Sequence, residues 1–332
     1  NARAGDTDPF YGVMSQSHMS SADWDLMKWG RLGSYRQPVA WGSVDRGGER
    51  PFRWDELDGV VESAARRDID LLPVLYSSPG WLTSDRRRLP VWGKRPIGEW
   101  KEFVKKVVLR YGTDGTFWSD NPEVPVRQVE RWQIWNEPNI KFYAHPVSAK
   151  LYARLLKISA RVIRKFDPDA EIVTAGFYAS PPDGKGIDAG LFLKRMYRIR
   201  GVRSSFDVAA IHPYGSTTKQ TLERTNPIRR IMNRNGNRKR RMLITEIGWG
   251  SDFATVFGTG SERGQAIQLD SAYRKFLANR KRLKLDAVYW YAWNDLPESV
   301  KACAFCYQTG LFDPQGDAKA AWYSLLRYTH DI

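Results

Sequence analysis

The sequence predicts a (β/α)8 barrel, in which eight parallel strands alternate with helices around a closed sheet. Two observations lead to this fold. Short apolar or β-branched runs recur along the chain, and longer polar stretches with helical spacing separate them. Eight such units fit in 332 residues. We therefore expect one barrel domain over residues 1–332, with 42% hydrophobic residues to form its core.

The candidate strands are apolar almost throughout, as expected for strands covered on both faces. They are the segments 10–14, 33–39, 69–76, 129–135, 171–177, 206–214, 241–249 and 285–293. Helical periodicity is clearest in three intervening segments, and Ser148 is a suitable N-cap for the second of them. These segments are 55–68, 148–166 and 261–280.

An open, doubly wound sheet is the alternative fold for alternating strands and helices. Such a sheet requires a glycine-rich phosphate-binding loop early in the chain, and the sequence has none there. The segment GTGSERG at 258–264 fits neither the dinucleotide-binding nor the P-loop spacing. The closed barrel is therefore favoured.

Chemistry in such barrels takes place at the carboxyl ends of the strands. The predicted strands end in a set of polar and aromatic residues that would face one mouth, namely Arg36, Trp81, Asn136, Glu137, His212, Tyr214, Glu246, Trp249 and Trp293. The set contains two carboxylates, Glu137 and Glu246. We expect no cofactor and no metal ion, since His and Asp do not cluster at these ends.

Paired carboxylates with aromatic platforms are the groups that glycosidic bond cleavage requires. One carboxyl group protonates the leaving oxygen while the other, ionised, attacks the anomeric carbon. Arg36 and Tyr214 are candidates for lowering the pKa of Glu246. Glu137 lies between Trp135 and Pro138, where we expect an apolar wall to raise its pKa.

The motifs and their order resemble the clan A retaining glycoside hydrolases, most of all families 39 and 5. WNEP at 135–138 resembles the acid/base motif of the clan, and TEIGW at 245–249 resembles its nucleophile motif. IHPY at 211–214 lies between them, and 309–325 resembles the closing segment of the clan. The resemblance implies cleavage of O-glycosidic bonds with retention of configuration and carboxylates about 5 to 5.5 Å apart.

The resemblance also assigns a role to individual residues. It implies that Glu137 is the acid/base, Glu246 the nucleophile and Asn136 a donor to the sugar 2-hydroxyl. Tyr214 would bond the nucleophile, and Trp293 would form the floor of the subsite for the attacked sugar. We expect a supporting role for His212, and both packing and sugar stacking remain open for Trp81.

The formal net charge is +15, from 52 Lys and Arg against 37 Asp and Glu, which favours anionic partners. The densest basic run, 229–241, precedes the seventh strand, so we interpret it as a solvated loop opposite the active site. A second group follows strands two, three and four on the catalytic face, namely Arg46, Arg50, Arg86, Arg87, Arg88, Lys94, Arg95 and Lys141. We hypothesise an acidic substrate or an anionic cell surface, and we expect no nucleic acid partner.

The start of the sequence and its two cysteines bear on cellular location and thiol chemistry. The sequence starts with NARAGDTDPF, and we expect a trimmed form of a secreted or cell-surface protein. No apolar run is long enough to span a membrane. Cys303 and Cys306 lie near the mouth, either as a local disulfide or as two free thiols.

A non-catalytic carbohydrate-binding barrel is the main functional alternative, together with a polyanion-binding barrel that uses only its basic surface. The presence of both carboxylates argues against the first. Indifference to loss of Glu137 or Glu246 would indicate the second. The sugar, its linkage and the choice between exo and endo action are not determined by these motifs.

Overall fold

The computed structural model describes residues 6–50, 52–253, 257–300 and 304–330. Its strands, in chain order, are β1 (Asp8–Met14), β2 (Leu32–Ala40), β3 (Asp70–Tyr76), β4 (Arg131–Ile134), β5 (Glu171–Val173), β6 (Phe177–Tyr178), β7 (Val208–His212), β8 (Arg241–Ile247) and β9 (Leu285–Tyr291). Its helices are α1 (Ser21–Trp29), α2 (Trp41–Val44), α3 (Asp55–Ala65), α4 (Lys94–Tyr111), α5 (Thr116–Asp120), α6 (Ala149–Phe166), α7 (Ala189–Tyr197), α8 (Thr218–Arg234), α9 (Glu262–Leu283) and α10 (Ala320–Thr329).

The strands form one closed parallel sheet. Neighbours follow the order β5-β4-β3-β2-β1-β9-β8-β7-β6, and β5 also pairs with β7, which closes the ring. β5 and β6 are two halves of one interrupted strand, because both pair with β7. The ring therefore has eight positions with helices between them, and the predicted (β/α)8 barrel is confirmed.

The predicted elements agree with the observed ones except at their ends. Every predicted strand overlaps an observed strand, but β7 ends at His212, β8 at Ile247 and β9 at Tyr291, each two residues earlier than predicted. The predicted strand 171–177 is interrupted between Val173 and Phe177. The N-cap prediction for α6 is confirmed, since the Ser148 hydroxyl accepts a hydrogen bond from the Leu151 amide.

The barrel interior has an apolar layer and a charged end. The apolar layer consists of Leu72, Val173, Val208, Ala210, Leu243, Ala287 and Tyr289. At the amino-terminal ends of the strands, Arg131 and Arg241 both form ion pairs with Glu171 and Asp286. This ion-pair cluster lies at the end of the barrel opposite the site described below.

The basic run 229–241 is only in part the solvated loop that we predicted. Its first residues belong to α8, and Arg229 is buried, with both terminal nitrogens donating to the carbonyls of Arg240 and Asn237. Arg240 forms an ion pair with Asp207. The prediction was wrong for Arg229 and Arg240, because their side chains form structural contacts in the region that connects α8 to β8. Arg230, Arg234, Arg238 and Lys239 are exposed, as expected.

None of the helices in the described ranges combines the length and the hydropathy that crossing a membrane would require.

Candidate active site

The carboxyl ends of β2, β4, β7 and β8 bring five of the predicted site residues into one buried cluster. Arg36 lies on β2, Asn136 and Glu137 follow β4, His212 ends β7, and Glu246 is near the end of β8. Each of these side chains is buried. Tyr214, two residues beyond β7, is also buried and also belongs to the cluster.

Two carboxylates lie close together in this cluster. A carboxylate oxygen of Glu137, one of Glu246 and a ring nitrogen of His212 lie within 4.8 Å of one another. The backbone that presents Glu137 is unusual, because Trp135 and Glu137 both have positive φ, at 69° and 38°. Non-glycine residues adopt this region rarely and at an energetic cost, which the surrounding packing has to offset.

Glu246 is held by a cation and a hydroxyl group. Arg36 Nη1 lies 2.6 Å from Glu246 Oε1, and the Tyr214 hydroxyl donates to Oε2 at 3.0 Å. The guanidinium also contacts the residue next to the other carboxylate, because Arg36 Nη2 donates to Asn136 Oδ1 at 2.7 Å. Arg36 Nε donates to Gln133 Oε1 at 2.8 Å. One arginine thus orients the nucleophile candidate and the amide beside Glu137.

His212 connects Glu137 to the barrel wall. Its Nδ1 lies 2.6 Å from Glu137 Oε1, and its Nε2 lies 3.0 Å from the Thr245 hydroxyl oxygen. That oxygen accepts a hydrogen bond from Gln133 Nε2 at 3.4 Å, so its proton is free to point to His212 Nε2. We infer that the Nδ1–H of His212 donates to Glu137.

The surroundings make the two carboxylates unequal. Burial raises the pKa of Glu137 well above its usual range, and the negative charge of Glu246 raises it further. Burial also raises the pKa of Glu246, but the charge of Arg36 and the hydrogen bonds from Arg36 and Tyr214 oppose this rise. Glu246 is therefore the first of the two to ionise.

Burial, followed by the charge of Arg36, holds the pKa of His212 well below its usual value. His212 is thus neutral, as the supporting role expected for it requires. Glu137, His212 and Glu246 also have the spacing of three metal ligands. Because Arg36 already supplies the positive charge at Glu246, a divalent ion there would lie against a guanidinium.

The cluster opens into a cleft of about 570 Å³. Arg36, Asn136 and Glu246 line it together with the loop after β1. Its aromatic walls consist of Trp24, Tyr35, Tyr76, Phe142, Tyr143 and Tyr291. Phe142 is 73% exposed, so its ring is available to a ligand.

The tryptophans predicted from the sequence do not line this cleft. Trp293 is only 1% exposed, and its indole N–H donates to Asp23 Oδ1 at 2.9 Å. Because β9 ends at Tyr291, the backbone of Trp293 turns to pair with Met14, and its ring packs between Phe312 and Trp322. The structure places Tyr291 in the cleft instead.

Trp249 and Trp81 also lie outside the cleft. Trp249 is fully buried, and its indole N–H donates to the Gly215 carbonyl at 2.8 Å. Trp81 is half-buried, lies edge-on to Trp41 and lines a separate depression on the same face of the barrel. The predicted carboxylates, Arg36, Asn136, His212 and Tyr214 are thus brought together, and the three tryptophans are not.

Sequence reasoning missed three residues that support the cluster. Gln133 and Thr245 are polar residues inside apolar strands, and that pattern was the available signal. Gly176 gives room for His212, because a Cβ atom there would collide with the imidazole and lie 2.6 Å from the Thr245 hydroxyl oxygen. A lone glycine near a strand end carries no such signal.

Cys306 lines the cleft and is disulfide-bonded. Of the two alternatives left open from the sequence, the disulfide with Cys303 involves a residue outside the described part of the chain.

Solved structures similar to this chain include glycoside hydrolases of families 39 and 5. A family 39 enzyme from the gut symbiont Bacteroides cellulosilyticus WH2 has a TM-score of 0.73 and 19% identity, over 99% of this chain and 65% of that one. A monomeric β-xylosidase from Caulobacter crescentus CB15 has a TM-score of 0.71 and 16% identity, over 98% of this chain and 69% of that one. GH5_18 from Streptomyces cattleya has a TM-score of 0.72 and 14% identity, over 97% of this chain and 80% of that one.

The structural neighbours are therefore members of the clan that the motifs resemble. At these identities the likeness establishes the fold. The chain spans 65% of the length of the Bacteroides enzyme. No protein-family model matches the sequence, and no curated protein does either.

Proposed function

We propose that the protein is a retaining glycoside hydrolase, with Glu137 as acid/base and Glu246 as nucleophile. The main observation behind the proposal is that two adjacent buried carboxylates have different surroundings. Glu246 contacts Arg36 and Tyr214, whereas the neutral His212 lies nearer to Glu137, with its Nδ1 2.6 Å from Glu137 Oε1 and 3.4 Å from Glu246 Oε2. Their oxygens lie within 4.8 Å, which favours direct attack over the wider spacing that an inverting enzyme needs for water.

In the first step a Glu246 oxygen attacks the anomeric carbon and the bond to the leaving oxygen breaks. Glu137 gives its proton to that oxygen, so an alcohol departs and a glycosyl ester of Glu246 remains. The raised pKa of Glu137 keeps it protonated for this step. Asn136 accepts from Arg36 through Oδ1, and its NH2 group, which has no acceptor among the described residues, can donate to the sugar 2-hydroxyl.

In the second step water attacks the anomeric carbon and the ester bond to Glu246 breaks. Glu137, now ionised, takes the proton from water, which restores both carboxyl groups. Two inversions at one carbon give net retention of configuration. Once Glu246 has formed the ester its negative charge is lost, so the charge that raised the pKa of Glu137 is absent when Glu137 acts as base.

The substrate we propose is an oligo- or polysaccharide, since aromatic rings on the cleft walls suit the apolar faces of sugars. Tyr291 and Phe142 replace the predicted tryptophans as platform candidates. A polymeric substrate and the disulfide-bonded Cys306 also favour an exported protein.

An acidic substrate is supported by a depression of about 530 Å³ beside Trp81, which Arg46, Arg50 and Arg95 line together with one carboxylate, Glu49. In the described residues neither Arg46 nor Arg50 has a carboxylate partner. By contrast, Arg87 forms an ion pair with Asp85 at 2.8 Å. At the depression Arg95 lies 3.9 Å from Glu99, and in the loop after β3 the exposed Arg86 and Arg88 form no ion pair within the described residues, so unpaired cations occur at both places.

The experiment is hydrolysis of a panel of aryl glycosides and polysaccharides by the native chain and by Glu246→Ala with azide. The panel includes a β-xyloside, because one structural neighbour is a β-xylosidase, and it includes uronic acid polymers. We expect azide to rescue Glu246→Ala and to give a glycosyl azide of inverted configuration, because azide replaces the missing nucleophile.

Glu137→Ala is the matched variant. With an activated aryl leaving group it still forms the ester, so azide should replace water in the second step and give a glycosyl azide of retained configuration. If neither variant loses activity, or if the folded native protein hydrolyses no glycoside, the non-catalytic carbohydrate- or polyanion-binding barrel becomes the better reading.

A further inference from the structure

Helix α6 carries charge of one sign only. Its 18 residues include six Lys or Arg and no Asp or Glu. All of its exposed positions are cationic, and we call these four residues the α6 stripe: Lys150, Arg154, Arg161 and Lys165.

The four side chains form a line along the outside of the barrel. At 100° per residue they fall within an arc of about 60°, over a length of about 22 Å. Because α6 follows β4, it begins at the catalytic end of the barrel and runs towards the opposite end. The loop that connects them contributes Phe142 to the cleft, and the stripe starts eight residues later at Lys150.

No carboxylate of the described residues neutralises the stripe. Arg164, on the same helix but outside the stripe, forms an ion pair with Asp207 at 3.0 Å. Lys150 and Arg154 are four residues apart, as are Arg161 and Lys165, so like charges face each other within the stripe. Such repulsion destabilises a helix unless an anion lies against it.

Two grooves of about 500 Å³ each border the stripe. The first has an apolar floor that includes Ile97, Leu151, Ile158 and Ile199, with Lys101 of α4 on its wall. The second lies between α6 and the segment 201–205, beyond α7. Further exposed cations adjoin this side of the barrel, namely Lys194, Arg195, Arg198, Arg200 and Arg203.

We propose that the α6 stripe and its two grooves bind an extended anionic polysaccharide outside the cleft. The requirement for a polyanion follows from the charges, whereas the choice of a polysaccharide rests on the proposed function. The residues that line the two grooves include no aromatic ring, which disfavours base stacking by single-stranded nucleic acid. All exposed positions of α6 are cationic, so the stripe offers a membrane no exposed apolar side chain to insert.

The test compares two full-length variants that lose the same charge. One replaces the stripe, as K150Q/R154Q/R161Q/K165Q, and the other replaces four exposed cations near the end of α8, as R230Q/R234Q/R238Q/K239Q. The measurement is the Kd for polygalacturonate as a function of salt. We expect the stripe variant to bind at least about tenfold more weakly and with a shallower salt dependence, and the matched variant to bind within about twofold of the native chain.

Equal weakening in both variants would overturn the inference, because net charge alone would then explain binding. Absence of polygalacturonate binding by the native chain at physiological salt would overturn it as well. Tighter stripe-dependent binding to phosphatidylglycerol vesicles or to single-stranded DNA would overturn the choice of occupant.

Failure of this inference is distinguishable from failure of the proposed function. Binding is measured without turnover, and hydrolysis of a small aryl glycoside does not require the stripe. We therefore expect both variants to retain kcat/KM for the aryl glycoside. If the protein bound polygalacturonate through the stripe but hydrolysed no glycoside, this inference would be supported and the proposed function would be refuted.

Discussion

Arg36 is the residue on which the inequality of the two carboxylates depends. Its guanidinium contacts Glu246 at 2.6 Å, whereas its contact on the Glu137 side is with Asn136 at 2.7 Å. Arg36 is only 2% exposed, so its charge acts with little screening by water. A buried cation that is paired with one carboxylate and not with the other gives the acid and the nucleophile their separate roles.

Glu137 should destabilise the protein as the pH rises. Burial raises its folded-state pKa above the ordinary value of 4.5, so its stabilising contribution is complete below that value and is lost as the pH rises through the folded pKa. Glu137→Gln cannot ionise and escapes this loss. We expect the variant to be more stable than the native chain by roughly 1–3 kcal/mol at about pH 8, and nearly equal at about pH 4.

Urea unfolding at both pH values measures this difference. Glu298→Gln is the control, since Glu298 is exposed and should give the same small effect at each pH. A destabilised Glu137→Gln at the higher pH would mean that the ionised carboxylate is the better-solvated form in the folded protein.

The charged residues of the site were predictable from the sequence, and its aromatic walls were not. Glu137 and Glu246 stand at strand ends, and strand position alone determines which end of the barrel they face. Whether a ring lies in the cleft or beneath it depends on where the backbone leaves the sheet. Trp293 follows the end of β9 by two residues and is buried, whereas Tyr291 is the last residue of β9 and lines the cleft.

At the scale of elements, the interruption between β5 and β6 serves the active site. Residues 174–176 leave the regular ladder, and the Thr174 side chain bonds the amide of Ala210 on β7. Gly176 lies against His212 so closely that a Cβ atom would collide with its ring. The fifth strand is thus interrupted at this point, and the space is occupied by the imidazole of His212, which contacts Glu137.

Gly176→Ala should therefore damage the site and the fold together. We expect a loss of about 1–3 kcal/mol of stability, because the new methyl group overpacks a buried position. We also expect kcat to fall about 100-fold, because His212 must move away from Glu137. The measurements are urea unfolding and aryl glycoside hydrolysis.

Gly59→Ala is the matched control for this substitution. Gly59 lies inside α3, and a Cβ atom there would meet nothing within 4 Å. That variant should gain about 0.5–1 kcal/mol, as alanine does over glycine in a helix, and should retain full activity. Native activity in Gly176→Ala would contradict the role assigned to the interruption.

The order of the elements was predictable because hydrophobic periodicity is a local property of the sequence. The interruption of the fifth strand was not, because its cause lies in His212 and Thr245, far along the chain. The α6 stripe was missed for a related reason. Its four cations are four to seven positions apart in the sequence, with Lys157 and Arg164 among the residues between them, and only the helix brings them onto one line.

Over the whole molecule, the net charge of +15 is distributed unevenly. Within the described residues, the exposed cations of the α6 side form no ion pair with a carboxylate, whereas the amino-terminal end of the barrel neutralises Arg131 and Arg241 with Glu171 and Asp286. The cleft lies at the other end, where the cation Arg36 is buried with the carboxylates. Chemistry and structural ion pairing thus occupy opposite ends of one barrel, a division typical of this fold.

Asp286→Asn tests that division, because Asp286 contacts Arg131 and lies 3.1 Å from Arg241. Losing the carboxylate leaves two half-buried guanidinium groups that share Glu171 alone. We expect a loss of about 1–3 kcal/mol, between the values for exposed and for buried ion pairs. The kcat/KM for an aryl glycoside should stay within about twofold of the native value at a temperature where both proteins are folded.

Asp183→Asn, at an exposed position, is the control and should change neither the stability nor kcat/KM. A large fall in kcat/KM for folded Asp286→Asn would show that the two ends are coupled through the barrel interior.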